Sequence, residues 1–317
     1  MSVALLADIG GTNVRFAMLT PDGRIEAVEA WLTALYPNIG AAVAAYAQMT
    51  GLSLPVDVAA VCAAGPLDGD RIELTNCPWT ISRGEMASFA KRTVLVNDFA
   101  AVAQAVPSLG VGDLRQIGGG APVDGAAKLA LGPGTGLGVA SVVPDGRGGW
   151  IVLPGEGGHT DLASTNEREI AVVYQLMREH GHVSVERVVS GPGLEALYLA
   201  LAALDGVGRN TKPAAQEIAQ AARAKRDPLA VEAVALFTGW LGSVAGNFAL
   251  TVGARGGVYI AGGIVGAWGD LFDEALFRRR FEAKGRMKSF LAPIPCYVVT
   301  AKDLAFRGLA ELIRQRA

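Results

Sequence analysis

Cysteine is scarce in this sequence. Cys62, Cys77 and Cys296 are the three in 317 residues, and no two are closely spaced, which excludes a disulfide framework and a structural zinc site and points to a reducing compartment, the cytoplasm. Charge is sparse as well. Charged residues make up 18% of the chain and the formal net charge is -2. The chain therefore has no basic footprint for nucleic acid, and no run of Lys or Arg supplies one locally. The N-terminus has no basic region before its apolar run and meets Asp8 within it, so no signal peptide is expected. No Gly-x-x-x-x-Gly-Lys-Ser/Thr segment occurs, so a P-loop is absent.

Apolar side chains, at 51%, are abundant enough for compact folding. A chain of 317 residues exceeds the roughly 250–300 residues at which one core stops growing. Two lobes with a cleft are expected, a smaller α/β lobe from 1–108 plus 301–317 and a larger one from 109–300, hinged at Pro107 and the polar, Gly-rich residues after it. The uncharged stretch 233–254 is near the roughly 20 apolar residues that span a bilayer. It carries Thr238, Ser243, Asn247 and Thr251 without bracketing basic flanks, so a buried helix is expected and no membrane partner.

Residues 3–20 place an apolar run on each side of Gly10-Gly11-Thr12-Asn13, which predicts a β-hairpin whose turn needs residues tolerant of φ > 0. Residues 129–143 repeat the layout around Gly132-Pro133-Gly134-Thr135-Gly136, a weak internal duplication. Strands are predicted at 58–61, 94–96 and 257–261, and helices at 39–49, 99–106, 167–179 (capped by Asn166), 193–204, 228–252 and 304–316. Strands alternating with helices predict an α/β class.

Glycine loops let backbone N–H groups approach a phosphate, because no Cβ obstructs them. The loop after Asp8 adds a carboxylate suited to Mg²⁺, directly or through water, and the loop 132–138 adds the Thr135 hydroxyl. Either loop alone reads equally well as a plain hairpin turn; the two together, with Gly262-Gly263 after a buried strand, favour nucleotide binding. Gly191-Pro192-Gly193-Leu-Glu-Ala196 fits a loosened dinucleotide pattern, but Pro192 stiffens the turn and a helix cap is the better reading. Asn97-Asp98-Phe99 ends a buried strand, where open α/β sheets bind ligands. Asp98 is thus a candidate base, although taken by itself a helix N-cap is the commoner role for an Asp in this place. An Asp with a pKa of about 3.9 is a weak base, which suffices for the late proton transfer of a loose phosphoryl-transfer transition state. The loop Pro154-Gly155-Glu156-Gly157-Gly158-His159-Thr160-Asp161 combines acid, imidazole and flexible backbone, as vicinal sugar hydroxyls require.

These motifs, in this order along nearly the whole chain, resemble the proteobacterial-type glucokinases of the actin and hexokinase superfamily. The resemblance implies a two-lobed actin-like ATPase (ribonuclease H-like) fold, Mg²⁺-ATP as cofactor, glucose as acceptor, lobe closure on sugar and a homodimer. It implies Asp98 as catalytic base and Asn97, Glu156, His159 and Glu186 as glucose ligands. Asp8, Gly10, Gly11, Thr12 and Asn13 match its first phosphate loop, Gly132, Gly134, Thr135 and Gly136 its second, and Gly262 and Gly263 its adenosine-side turn. The related ROK sugar kinases carry a Cys-rich zinc motif, whereas this chain has no cysteine between Cys77 and Cys296. The pattern also departs at Pro133, where a small residue is expected.

Overall fold

The structure, a computed structural model, describes residues 3–74, 77–208 and 212–315. It divides into two compact units. The first comprises Met1–Leu109, Asp145–Pro154 and Ala301–Ala317, and the second Gly110–Pro144 and Gly155–Thr300. The segment Asp145–Pro154, left in the larger lobe by the sequence reading, groups with the first unit.

In the first unit, β1 (Ala4–Ile9) and β2 (Asn13–Leu19) form the predicted hairpin, followed by β3 (Ile25–Leu32), α1 (Ile39–Thr50) and β4 (Val56–Ala63). A small antiparallel sheet of β5 (Leu67–Asp68), β6 (Arg71–Glu73) and β7 (Thr80–Ser82) and the short α2 (Arg83–Met86) lead to β8 (Ala90–Asn97) and α3 (Asp98–Ala105). The main sheet has the order β3-β2-β1-β4-β8, with β1, β4 and β8 parallel. The Ile9–Val14 register leaves residues 10–13 as a four-residue loop, which Gly10 N–H closes by donating to the Asn13 carbonyl at 2.8 Å. Contrary to the expectation of φ > 0, neither Gly10 nor Gly11 adopts the left-handed conformation. A four-residue loop can turn the chain with right-handed residues, whereas a two-residue turn cannot.

Strand alternation sorts the first unit's core into two layers. Leu5, Ala7 and Ile9 pack with Ile39, Val43 and Tyr46 of α1. Ala4 and Leu6 face the other way, onto Phe306, Leu309 and Ile313 of the last helix, Leu304–Gln315. Arg316, at the end of the helix expected from the sequence, lies outside the described residues. Each fully buried side chain such as Phe306 contributes about 1.5–3 kcal/mol. The same period of two sends Asp8 to the Phe306 side.

The second unit repeats the scheme. β9 (Leu114–Gln116) is followed by the hairpin of β10 (Lys128–Pro133) and β11 (Leu137–Pro144); β12 (Trp150–Gly155) crosses the boundary between the units. Then come α4 (Glu167–His180), α5 (Gly191–Leu204), α6 (Ala215–Arg223) and α7 (Pro228–Val252). β13 (Val258–Ile260), α8 (Gly263–Trp268), α9 (Glu274–Glu282), α10 (Lys288–Leu291) and β14 (Cys296–Val299) complete it, and the terminal helix Leu304–Gln315 is α11. The strands run in the order β11-β10-β13-β14-β9, with β10, β13 and β14 parallel. A hairpin whose first strand continues into parallel neighbours thus occurs in both units, as the duplicated motif implied. Among the described residues α7 is the one helix long and apolar enough to cross a membrane. Phe237, Trp240, Leu241 and Ala245 of α7 are nevertheless fully buried in this unit's core, as expected for 233–254.

Candidate active site

The carboxyl ends of the parallel strands β1, β4 and β8 gather the polar residues of the first unit. Asp8 is opposite Arg15 in the hairpin and beside Cys62 of β4. Arg15 Nη1 is 3.6 Å from Asp8 Oδ2, its Nη2 pairs with Asp303, and its guanidinium lies 4.9 Å from the centre of the Phe306 ring. Burial raises the Asp8 carboxyl above its ordinary pKa, opposed chiefly by the Arg15 charge. Burial likewise pushes the Cys62 thiol well up, and the charges of Asp8 and Asp98 push it further. Cys62 therefore stays a neutral S–H, donating to Asp8 Oδ1 at 3.5 Å.

Asn97, not Asp98, takes up the capping role that the sequence left open for Asp98. Its Oδ1 accepts from the N–H groups of Phe99 (2.9 Å) and Ala100 (3.1 Å), and its Nδ2 donates to the Gly65 carbonyl at 2.9 Å. Asn97 is thus the N-cap of α3. Asp98 occupies the first helical position, where its Oδ1 accepts the Phe99 N–H at 2.7 Å. An acid here also interacts favourably with the positive end of the helix. Thr12 and Asn13 are exposed at the hairpin tip, and the Thr33 side chain ties the Gly11 carbonyl at 3.0 Å. Among the described residues no three His, Cys, Asp or Glu side chains form a metal-binding cluster.

In the second unit, Gly134-Thr135-Gly136 forms the tip of the β10–β11 hairpin, and Pro133 pairs with Leu137 inside the ladder. The departure at Pro133 is accommodated there. Glu186 is held against this loop: the Leu137 N–H donates to its Oε2 at 2.7 Å, and a Cβ on Gly136 would stand 2.5 Å from that oxygen. The Glu186 N–H donates to the Gly158 carbonyl at 2.8 Å and the Val185 N–H to that of Thr160 at 2.9 Å. This stitches Glu186 to the loop carrying Glu156 and His159. His159 N–H donates to the Glu156 carbonyl at 3.0 Å, and both side chains are exposed. Backbone bonds therefore join Glu186 to the neighbouring Glu156 and His159, which lie far from it in sequence.

A cavity of about 580 Å³ opens within this unit, a size common for small-molecule sites. Gly134, Thr135 and Gly263 line it. Gly191 also does, its N–H donating to the Gly134 carbonyl at 2.8 Å. Ser190 caps α5, so the Gly191-Pro192-Gly193 turn is a helix start as expected, and it contributes to the cavity wall as well. Gly132 sits in β10, and a Cβ on Gly262 would meet the Pro133 nitrogen at 2.5 Å. Gly132, Gly136 and Gly262 do not line the cavity; Gly262 packs against the Gly132–Pro133 backbone and Gly136 against Glu186. The sequence reading missed Glu195, Gln216, Gln220, Arg223 and Trp268, which also line the cavity. No local pattern marks them. It also missed Arg15, although a four-residue hairpin loop sets Arg15 directly across from Asp8.

The family model described as glucokinase matches residues 5–316. A glucokinase from Chromobacterium violaceum is 45% identical over 308 residues, covering 96% of this chain and 88% of that protein. A bifunctional protein glk from Paraburkholderia xenovorans is 42% identical over 319 residues, covering 98% of this chain; the chain spans 49% of that protein's length. Among solved structures, a glucokinase from an Antarctic psychrotroph has a TM-score of 0.88 and 33% identity, with 99% of both chains covered.

Proposed function

The chain belongs to the glucokinase family, and from that premise we propose that Asp98 takes the proton of the glucose 6-hydroxyl as ATP transfers its γ-phosphoryl group to that oxygen. The enzyme phosphorylates glucose with ATP, on the α/β fold of the actin-like sugar kinases. The observation that carries the role of Asp98 is that Asn97, not Asp98, caps α3. The end of β8 thereby presents a carboxylate that the helix does not require as its cap.

An ionised Asp orients the hydroxyl through a hydrogen bond and accepts its proton late, so no raised pKa is needed. Asn97 keeps one N–H beyond its bond to Gly65 for a sugar oxygen. Glu156, His159 and Glu186 bind and orient the other hydroxyls, the carboxylates accepting and the imidazole accepting or donating. In this reading the cavity holds the nucleotide, with Gly134 and Thr135 towards its phosphates and Gly263 on the adenosine side; Gly10 to Asn13 form the other phosphate loop. Mg²⁺, when bound, neutralises charge on the transferring phosphates. Asp8 fits that ion, because one or two carboxylates with substrate phosphates suffice and its Oδ2 is only loosely engaged by Arg15 at 3.6 Å. The reading further makes this a cytoplasmic homodimer of the proteobacterial type, acting on small molecules and not on nucleic acid or membranes.

Asp98→Asn tests the central role. The amide still hydrogen-bonds a hydroxyl but cannot take its proton, so kcat should fall by about 10²–10⁴-fold with the glucose KM nearly unchanged. Retention of native kcat would remove Asp98 from the chemistry.

A further inference from the structure

We propose that α4 is the surface on which two copies of this chain meet, antiparallel across a two-fold axis near Tyr174. The proposal rests on the homodimer reading and adds the surface to it. Ile170, Tyr174 and Met177 of α4 are 58%, 65% and 50% exposed. Scattered exposed apolar residues need no explanation, but these recur at intervals of four and three and so form one stripe on the helix. The buried face of α4 is supplied by Val172 and Leu176, so the stripe is surplus to the unit's own core. Tyr and Met are also enriched in interfaces.

Charge complementarity identifies the occupant as a second copy. Exposed Glu167 and Arg178 lie on the same face as the stripe, towards opposite ends of α4. At about 1.5 Å per residue, Glu167 lies about 10 Å before Tyr174 and Arg178 about 6 Å after it. Reversing a second α4 about Tyr174 sets Ile170 against the partner's Met177. Glu167 then lies within about 5 Å along the axis of the partner's Arg178, inside an arginine's reach. The arrangement is self-complementary, as a two-fold interface must be.

One helix cannot supply the roughly 1,000 Å² that a stable dimer buries. On another flank of α4, Arg168 binds both carboxylate oxygens of Asp205 (2.8 and 2.9 Å) and of Glu232 (2.7 and 2.9 Å). These bonds hold the end of α5 and the start of α7 beside the first turn of α4, where Leu204, Val207 and Val231 are also exposed.

Sedimentation velocity on the full chain tests this with four variants: Tyr174→Glu, Glu167→Arg, Arg178→Glu and the double reversal. The native chain should sediment as a dimer, and Tyr174→Glu should raise the dimer Kd by at least about 100-fold, with a native far-UV spectrum. Each single reversal should weaken the dimer by roughly 3–10-fold, and the double reversal should restore it. A Tyr174→Glu protein with native dimer affinity would overturn the surface, and a double reversal no better than the singles would overturn the antiparallel arrangement. Should Tyr174→Glu fail to fold, the charge series still decides. A native chain that is monomeric at about 50 µM would overturn the homodimer reading itself, a result distinct from a dimer indifferent to α4.

Discussion

Glu186 and the glycine hairpin form one structural unit, and Gly136→Ala probes it. The new Cβ would stand 2.5 Å from Glu186 Oε2 and 3.2 Å from its carboxyl carbon, so the carboxylate must move. Moving it breaks the 2.7 Å bond from the Leu137 N–H and leaves that donor without its partner, at about 1–3 kcal/mol. The backbone itself accepts alanine, because Gly136 is not in the left-handed region; a Gly→Ala change then contributes about 0.4–1 kcal/mol in the opposite direction. A net loss of between about 0 and 2.6 kcal/mol follows from these two ranges. With Glu186→Ala already made, the clash is gone and Gly136→Ala should be neutral or slightly stabilising. Thermal unfolding of the native chain, both singles and the double gives the coupling directly. The glucose KM of Gly136→Ala should rise as well, because the displaced carboxylate is the proposed sugar ligand. If Gly136→Ala costs the same stability with and without Glu186, the clamp is not what the contacts imply.

Gly308→Ala should destabilise the first unit by about 3 kcal/mol or more, because its Cβ would overlap the carbonyl oxygen of Ala101 in α3; kcat should drop too, since α3 carries Asp98, and native melting with native kcat would contradict this. Asp8 gives a pH signature. Its folded pKa is raised above the ordinary 3.8, so its stability contribution is complete below that value and is lost as pH rises through the raised pKa. The melting temperature of Asp8→Asn relative to the native chain should therefore improve from acid towards neutral pH, and a difference independent of pH would refute the shift. Glu156→Gln should weaken glucose affinity roughly tenfold, the scale of one charge-assisted hydrogen bond, as read by equilibrium titration; unchanged affinity would take Glu156 out of the sugar site.

Much of this protein is written locally. Alternating apolar residues around Gly10-Gly11 and Gly134-Thr135-Gly136 determined the two hairpins, because side-chain period and turn chemistry act within a few residues. The charge-free run of α7 determined a helix, and its polar Thr238 and Ser243 marked it as a core helix. Asp98 was visible as the polar end of an apolar strand; the cap of α3 itself is local, Asn97 Oδ1 accepting from Phe99 and Ala100, whereas the anchoring of Asn97 on the Gly65 carbonyl across 32 positions is recorded by no local pattern. The same holds for Arg15 between Asp8 and Asp303, for Glu186 against Gly136, and for the cavity wall that α5, α6 and α8 assemble. Periodicity determines which face a side chain takes. Which partner waits on that face is a matter of long-range packing, and only the tertiary structure decided it.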